Sequence, residues 1–240
     1  MVIEFILLVL GAYLLGSVPT AYLIAKWTRG IDIRQYGSGN VGATNVSAVV
    51  SKRWTVPVTL FDLGKGMLVF YLARLIGLEF YQQLLVGIAA IVGHNWPVFL
   101  NFSGGRGILT TVGIIFVLAP WLTLVMVIVA FLFAPFRQLP LGALLVLAAA
   151  PLCSWFLTQT FSIEQSLPLT LGFVAIFLLV IIRRLAVSRT QLSTSITTKE
   201  LVINRLLFDR DIRDRKAWMK RTPPKANSTV QPLDLSAKKE

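Results

Sequence analysis

Long apolar runs occupy most of this chain, and short polar clusters separate them. The runs lie near residues 2–25, 55–78, 82–100, 107–134, 139–160 and 167–182. Most of them approach or exceed the roughly 20 apolar residues that a helix needs to cross a bilayer. The pattern predicts an all-α integral membrane protein that is folded as a polytopic bundle of transmembrane helices.

The run at 107–134 is interrupted near its middle by Ala119, Pro120 and Trp121. Proline favours the first position of a helix, and tryptophan is common at a membrane boundary. Two short helices, about 107–119 and 121–134, would turn the chain back and give seven spans. A single helix there would give six spans and place Arg137 outside.

Basic residues predict the orientation. The loop 26–54 contains five Lys or Arg residues against Asp32 alone, and residues 183–240 contain fourteen Lys or Arg against six Asp or Glu. The positive-inside rule therefore predicts an outside N-terminus, a cytoplasmic C-terminus and a multi-pass protein of the cell membrane. The basic tail lacks interleaved aromatic residues, so nucleic acid is not an expected partner.

Composition excludes a soluble domain, because 55% of the residues are hydrophobic, 14% are charged, and the mean hydropathy is +0.73. The first run carries Glu4 and has no basic segment before it, which indicates a retained helix and not a cleaved signal. The single cysteine, Cys153, lies in an apolar run and is expected to be buried.

The segment at 32–45, DIRQYGSGNVGATN, is polar and rich in glycine. Glycine allows main-chain N–H groups to converge on an anion, most simply a phosphate. The alternative is an ordinary turn between two membrane helices. The candidate ligands are the backbone at Gly37, Gly39 and Gly42 and the side chains of Arg34, Ser38, Asn40, Thr44 and Asn45.

A second glycine loop, SGGRG, occupies residues 103–107 and leads into an apolar run. Backbone N–H groups at Gly104, Gly105 and Gly107, a helix N-terminus and Arg106 would all attract one anion. The loop lacks the lysine and Ser/Thr of a nucleotide P-loop. Both glycine loops are predicted on the same membrane face.

Two ionisable residues, Asp62 and Lys65, stand three positions apart within the second long run. They share a helix face and can pair, which lowers the cost of holding charge near lipid. The pair is either purely structural or also directs Lys65 toward the loop 37–45. His94 either satisfies a broken helix end or joins the site, and no cluster at metal-ligand spacing accompanies it.

Four motifs together resemble the bacterial acyl-phosphate glycerol-3-phosphate acyltransferase family, the PlsY type. They are GSVPTAYLIAK at 16–26, DIRxxGSGNxGATN at 32–45, DxxKG at 62–66 and GHNWPVFLNFSGGRG at 93–107. They cover most of residues 11–113 in the right order. The resemblance implies seven spans, an outside N-terminus and a cytoplasmic site.

The resemblance also implies an activity: transfer of a fatty acyl group from acyl phosphate to the 1-hydroxyl of glycerol 3-phosphate. The products are lysophosphatidic acid and phosphate. No cofactor or metal is expected, and the expected partners are the two substrates and membrane lipids, with the protein a monomer. The resemblance implies that Ser38, Asn40 and Asn45 belong to the reacting centre and that Gly104 to Gly107 bind phosphate. We add His94 as a catalytic candidate and Lys65 as a phosphate ligand.

The chain departs from the family pattern at three places. Arg106 replaces a lysine, and Ala48 replaces an arginine after the first glycine loop. RRLAVSRT at 183–190 stands where the family has a pattern like HRENIKRL, which INRLLFD at 203–209 echoes in part. An alternative function is therefore a catalytically weakened relative that binds lipid precursors as an accessory protein; a transporter is less favoured because the polar residues gather on one face.

The sequence divides into a transmembrane domain at 1–190 and a basic tail at 191–240. For residues 200–219 two alternatives stay open: a short amphipathic helix that lays its apolar side chains on the membrane, or a solvated, partly disordered tail. Those side chains are Leu201, Ile203, Leu206, Leu207, Ile212 and Trp218. Beyond Thr222 a solvated, partly disordered segment is expected.

Overall fold

The computed structural model describes residues 2–160 and 165–222, and this part of the chain contains helices and loops but no strand. The predicted all-α membrane fold is confirmed. The helices are α1 Val2–Ser17, α2 Thr20–Arg29, α3 Ala43–Val49, α4 Lys52–Leu75, α5 Phe80–Asn95, α6 Ile108–Leu118, α7 Pro120–Phe131, α8 Leu139–Thr160, α9 Ser166–Leu185, α10 Thr198–Phe208 and α11 Arg215–Met219.

Five described stretches are long and apolar enough to cross a membrane: Val2–Arg29, Lys52–Leu75, Phe80–Leu100, Leu139–Phe156 and Ser166–Leu185. Helices α6 and α7 are apolar but shorter, with 11 and 12 residues. The protein is therefore a multi-pass membrane protein. The seven-span count and the orientation stay predictions.

The predicted break in the run 107–134 is confirmed, because α6 ends at Leu118 and α7 begins at Pro120. Proline has no N–H group, so it sacrifices no hydrogen bond at the first position of a helix. Ala119 between the two helices has a non-helical backbone, with φ of −151° and ψ of 85°, and its N–H donates to the Ile115 carbonyl oxygen.

Close helix crossings position the site end of the bundle. Gly16 of α1 lies against the carbonyl group of Ala90 in α5, and Gly93 of α5 lies against the carbonyl group of Tyr13 in α1. A Cβ at either glycine would overlap backbone atoms, so only glycine permits this approach. Helices α4 and α6 cross in the same way, with Gly66 and Gly113 at their contact.

The loop 26–54 is folded against the bundle and is not a plain connector. Ile33, Val46 and Val58 are fully buried in one apolar cluster. The guanidinium of Arg29 donates to the Val50 carbonyl oxygen over 2.8 Å. Burial of these side chains fixes the glycine loop on the end of α4.

The single amphipathic helix considered for 200–219 is wrong. Two helices, α10 and α11, are separated by Asp209, which has a left-handed backbone with φ of 54°. Leu201 and Trp218 are buried within the protein, whereas Ile203 and Leu207 are 37% and 39% exposed. The tail therefore packs on the bundle, with α10 against α8 and α9.

Two further expectations concern the same half of the chain. Cys153 is exposed on α8 and not buried as expected. In a membrane helix such a side chain can meet lipid, so low polarity does not require burial inside the protein. The segment expected to be disordered, 223–240, lies outside the described residues.

Candidate active site

The Asn45 side chain holds the first glycine loop in its conformation through hydrogen bonds. Its side chain is fully buried; its amide oxygen accepts from the Ser38 N–H over 3.0 Å, and its amide nitrogen donates to the carbonyl oxygens of Ile33, Tyr36 and Asn40. All of these partners belong to the loop and the short turn before it. Asn45 thus shapes the loop.

Ser38 and Asn40 are half-buried residues of the same loop. The Asn40 N–H donates to Ser38 Oγ over 3.3 Å. The Asn40 side-chain oxygen is buried and, among the described residues, has no hydrogen-bond partner. Gly37 and Gly39 adopt φ of 55° and 71°, which glycine tolerates best. These residues form a polar centre with unused hydrogen-bonding capacity.

Gly42 and Thr44 occupy the end of the loop and the start of α3. The Gly42 carbonyl oxygen accepts from the N–H groups of Asn45 and Val46, which begins the helix. Thr44 and Ala48 are exposed on α3. The structure therefore places Thr44 at the surface of the loop, while Gly42 lies within it.

Arg34 is held beside the loop by Asp32. Its guanidinium donates to the Asp32 carboxylate, with Nη2 to Oδ2 at 2.6 Å, and its Nη1 donates to the Leu100 carbonyl oxygen over 3.2 Å. Burial raises the pKa of Asp32, but the hydrogen bonds and charge of Arg34 outweigh it and hold the pKa below its usual value. The pair ties the first loop to the turn before SGGRG.

The SGGRG loop fits closely against His94 and the first glycine loop. The Gly105 N–H donates to the His94 carbonyl oxygen over 3.0 Å. A Cβ at Gly105 would overlap the His94 ring and lie 2.7 Å from the Val41 carbonyl oxygen. The two predicted loops and His94 are therefore in contact, and Gly107, with φ of 71°, leads directly into α6.

Arg183 braces this loop from the end of α9. Its Nε donates to the Gly105 carbonyl oxygen over 2.9 Å and its Nη2 to that of Gly104 over 2.8 Å. Its side chain is 6% exposed. Sequence reasoning noted this residue only as a departure from the family pattern; the available signal was an arginine placed directly at the end of an apolar span.

The predicted Asp62–Lys65 pair is confirmed, with Nζ to Oδ1 at 2.8 Å. His94 completes it: its Nδ1 lies 2.8 Å from Lys65 Nζ and 3.5 Å from Asp62 Oδ1. Lys65 also donates to the Gly16 carbonyl oxygen over 3.0 Å. Both members of the pair are almost fully buried.

The expectation that Lys65 points toward the loop 37–45 is wrong, because its hydrogen bonds and ion pair among the described residues go to Asp62, His94 and the Gly16 carbonyl oxygen. The low dielectric inside the bundle favours the nearest carboxylate and carbonyl partners. His94, in contrast, contacts both Lys65 and Asp62, so its role is not limited to satisfying the end of α5.

One ion pair joins the tail to the site, and a second one lies within the tail. Arg106 Nε donates to Asp209 Oδ1 over 2.6 Å. Arg205 and Asp211 pair at 2.8 Å, and Asn204 donates to the Asp211 carbonyl oxygen over 3.0 Å. The INRLLFD segment that echoes the family pattern is therefore at this end of the bundle.

Two recesses adjoin these groups. A small pocket between the loops is lined by Ser17, Pro19, Val41, Asp62, His94 and Gly104. An apolar groove runs between α6, α7 and α8, and its lining includes Ile108, Thr111, Ile115, Met126, Ala143 and Leu147. Within the described ranges no group of three or more His, Cys, Asp or Glu residues could hold a metal ion.

This arrangement can bind an anion between two glycine loops and place an apolar chain beside it. Backbone N–H groups and guanidinium groups stabilise negative charge, especially in a site partly shielded from water. The lining of the groove includes Ile108, the first residue of α6, which directly follows the SGGRG loop.

Comparisons with known proteins agree with this chemistry. A family model described as glycerol-3-phosphate acyltransferase matches residues 6–192. Glycerol-3-phosphate acyltransferase 4 of Dehalococcoides mccartyi is 43% identical over 217 residues, which cover 90% of this chain and 94% of that protein.

Two crystal structures of PlsY, an integral membrane glycerol 3-phosphate acyltransferase, resemble the fold at 32% identity. The glycerol 3-phosphate form has a TM-score of 0.70 and covers 88% of this chain and 96% of that one. The lysophosphatidic acid form has a TM-score of 0.68 and covers 88% and 95%.

Proposed function

The chain belongs to the glycerol-3-phosphate acyltransferase family, and we propose that it transfers a fatty acyl group from acyl phosphate to the 1-hydroxyl of glycerol 3-phosphate. The products are lysophosphatidic acid and inorganic phosphate. The observation that carries this proposal is the contact between two glycine loops at the end of a membrane bundle, directly beside an apolar groove.

The reaction needs no strong base. The substrate hydroxyl oxygen bonds to the acyl carbonyl carbon, the bond from that carbon to the phosphate oxygen breaks, and the hydroxyl proton leaves with the phosphate. Phosphate is a good leaving group, so orientation and charge stabilisation can supply most of the rate. The site offers both through fixed N–H groups and guanidinium groups.

We assign Ser38 and Asn40 to the reacting centre, because they form its half-buried polar surface. The Arg106 side chain and the backbone of the segment Gly104 to Gly107 bind phosphate, with the Gly105 N–H already held by the His94 carbonyl oxygen. Asn45 becomes a positioning residue in place of its earlier catalytic role, since its amide is committed to its own loop.

His94 and Lys65 take supporting roles in this proposal. His94 lines the pocket between the loops, where it can contact substrate. Lys65 is buried against Asp62 and holds His94 and α1 in place, so it is a positioning residue and not a phosphate ligand. Phosphate contacts at Gly42 and Thr44 stay predictions. So do those at Gly37, Gly39 and Arg34, whose groups have protein partners here: the N–H groups of Gly37 and Gly39 donate to the Arg221 and Tyr36 carbonyl oxygens, and Arg34 pairs with Asp32.

The acyl chain of the donor fits the groove between α6, α7 and α8. Its lining is mostly aliphatic, and burial of apolar surface supplies the binding free energy for such a chain. Because α6 begins at the phosphate loop, a chain lying along this helix would present its acyl phosphate end to Arg106.

We also propose that the protein acts as a monomer in the cell membrane, with the site on the cytoplasmic side and the N-terminus outside. The basic residues of the loop 26–54 and of the tail support this orientation. The groups that form the proposed site come from one chain. The division at residue 190 stays a proposal, although α10 packs on α8 and α9.

The test is phosphate release by the purified full chain in lipid or detergent, supplied with palmitoyl phosphate. We expect release that depends on added glycerol 3-phosphate, together with formation of lysophosphatidic acid. Folded protein that releases no phosphate under these conditions would overturn the proposal and favour an accessory protein that only binds lipid precursors.

A further inference from the structure

The tail ends its described part at the first glycine loop, and we infer that Arg221 supplies a guanidinium group for the phosphate of a substrate bound there. The inference rests on the proposed function and deepens it. Arg221 lies beyond residues 6–192, where the family model matches. The family motifs therefore do not include this residue.

The backbone of Arg221 docks on the loop. Its carbonyl oxygen accepts from the Gly37 N–H over 3.0 Å. This bond places the tail against the residue that precedes Ser38, which we assign to the reacting centre. The contact uses only main-chain atoms, so it does not depend on the side chain at position 221.

The side chain of Arg221 lies across Gly39. Its Nη2 donates to the Arg34 carbonyl oxygen over 3.1 Å. A Cβ at Gly39 would overlap the guanidinium, so the absence of a side chain at this position is what admits Arg221. The positive charge is thereby held directly over the GSGN segment.

The Trp218 ring orients the Arg221 side chain through a cation–π contact. The indole ring is 4% exposed, and the Arg221 guanidinium carbon lies 5.0 Å from the ring centroid. Such a cation–π contact orients a guanidinium while its N–H groups stay available for hydrogen bonds. Helix α11 thus presents Arg221 to the loop in a defined position.

Arg221 differs from Arg34, Arg106 and Arg205 because, among the described residues, its positive charge is not paired with a carboxylate. Arg34, Arg106 and Arg205 each pair with a carboxylate, at 2.6, 2.6 and 2.8 Å. Of the acidic side chains in the described ranges, none lies within 4.0 Å of the Arg221 guanidinium.

The hydrogen bonds of Arg221 are incomplete as well. Its Nε is buried and has no partner in the part of the chain that the structure describes. A buried donor without a partner is costly, and an anion at the loop would satisfy it. A phosphate group carries the charge and the acceptor oxygens that this donor lacks.

The loop itself does not provide an equivalent cation. Arg34 is already held by Asp32, and position 48 on the adjoining helix is an exposed alanine. Arg221 therefore brings from the distant tail a guanidinium that the first glycine loop would otherwise lack. A guanidinium is well suited to phosphate because it donates two parallel hydrogen bonds.

The test compares the full-length protein with Arg221→Ala and Arg221→Lys in the phosphate-release assay, with each substrate varied in turn. We expect Arg221→Ala to raise KM for glycerol 3-phosphate or for palmitoyl phosphate by about 10- to 100-fold, which is the usual effect of losing a charged hydrogen bond. The substrate whose KM rises identifies the phosphate that Arg221 binds. Arg221→Lys should recover part of the loss, and millimolar guanidinium should restore activity to Arg221→Ala alone.

Arg213→Ala is the matched control, because Arg213 is an exposed arginine of the same tail segment; its kinetic constants should equal those of the unmodified protein. Unchanged constants in Arg221→Ala, or a lower kcat with both KM values unchanged, would overturn the inference. Absence of activity in the unmodified protein would instead contradict the proposed function, so the two failures are distinguishable.

Discussion

Arg106 Nε and Asp209 Oδ1 lie 2.6 Å apart, although 103 residues separate them along the chain. The contact joins the SGGRG loop to the tail. It engages the Nε side of the guanidinium and is the only hydrogen bond of this side chain among the described residues. Asp209 thus orients Arg106 so that its two terminal nitrogens can address an anion.

We predict that Arg106→Lys lowers kcat/KM by more than tenfold in this chain. A lysine has one charged nitrogen, which Asp209 would capture, whereas arginine binds the carboxylate and an anion through different nitrogens. Steady-state phosphate release measures the effect.

The double variant Arg106→Lys/Asp209→Ala is the check on this explanation. Removing the carboxylate should free the lysine, so the double variant should be more active than Arg106→Lys alone. If the loss of activity in the double variant equals the sum of the losses in Arg106→Lys and Asp209→Ala, Asp209 does not orient Arg106.

Ser38→Ala should lower turnover by about 100-fold while the protein stays folded, since one positioned donor at a reacting centre is typically worth that much. Arg106→Ala should lower it strongly too. Ser47→Ala, a half-buried serine on α3, is the control and should keep its activity. Full activity in both Ser38→Ala and Arg106→Ala would refute the assigned site.

Asp62→Asn should destabilise the protein by about 3 kcal/mol, because it leaves Lys65 as a buried charge without its carboxylate. The double change Asp62→Asn/Lys65→Met removes both charges and should recover part of this stability. Thermal unfolding in detergent measures both. A double variant less stable than Asp62→Asn would argue against the pair as the cause.

Gly105→Ala should destroy activity and lower the unfolding temperature, because the added Cβ would overlap the His94 ring and crowd the Val41 carbonyl oxygen. Gly11→Ala is the matched control: apart from the neighbouring backbone of its own helix, no atom lies within 4 Å of its added Cβ, and alanine favours helix over glycine. Normal activity in Gly105→Ala would show that the two loops need not be in contact.

Asp211→Ala should release the tail and speed trypsin cleavage after the exposed Arg213 and Arg215. Burial raises the pKa of Asp211, but Arg205, Ser193 and Thr190 outweigh it and lower the pKa below its usual value. The carboxylate therefore stabilises docking above the unfolded pKa of about 3.9, and this stabilisation is lost as the pH falls through the lower folded pKa.

The control for tail release is Asp214→Ala. Asp214 is exposed and caps only the short α11. The Asp214→Ala variant should therefore accelerate trypsin cleavage less than Asp211→Ala. Equal protection of Asp211→Ala and the unmodified protein, measured between pH 6 and 8, would contradict the anchoring role of this carboxylate.

Local pattern predicted much of the membrane domain. Apolar run length located the long helices, and Pro120 marked the break between α6 and α7. Glycine spacing identified both loops, and the interval between Asp62 and Lys65 predicted their pair. These features succeed from sequence because each depends on residues within a few turns of one another.

The tail was predicted poorly for a physical reason. Amphipathic periodicity shows that Leu201 and Trp218 prefer an apolar surrounding, but it does not distinguish lipid from a protein surface. Both side chains are buried against the bundle. The same limit explains Cys153, where exposure to a membrane satisfies an apolar preference without burial in the protein.

The sequence by itself determined the membrane fold, the two glycine loops and the family. Only the tertiary structure decided which cations serve those loops. Arg183 braces Gly105 across 78 positions, Asp209 meets Arg106 across 103, and Arg221 reaches Arg34 across 187. Such contacts leave no periodic signal in a single sequence, because helix packing and the path of the tail choose the partners after the local elements have formed.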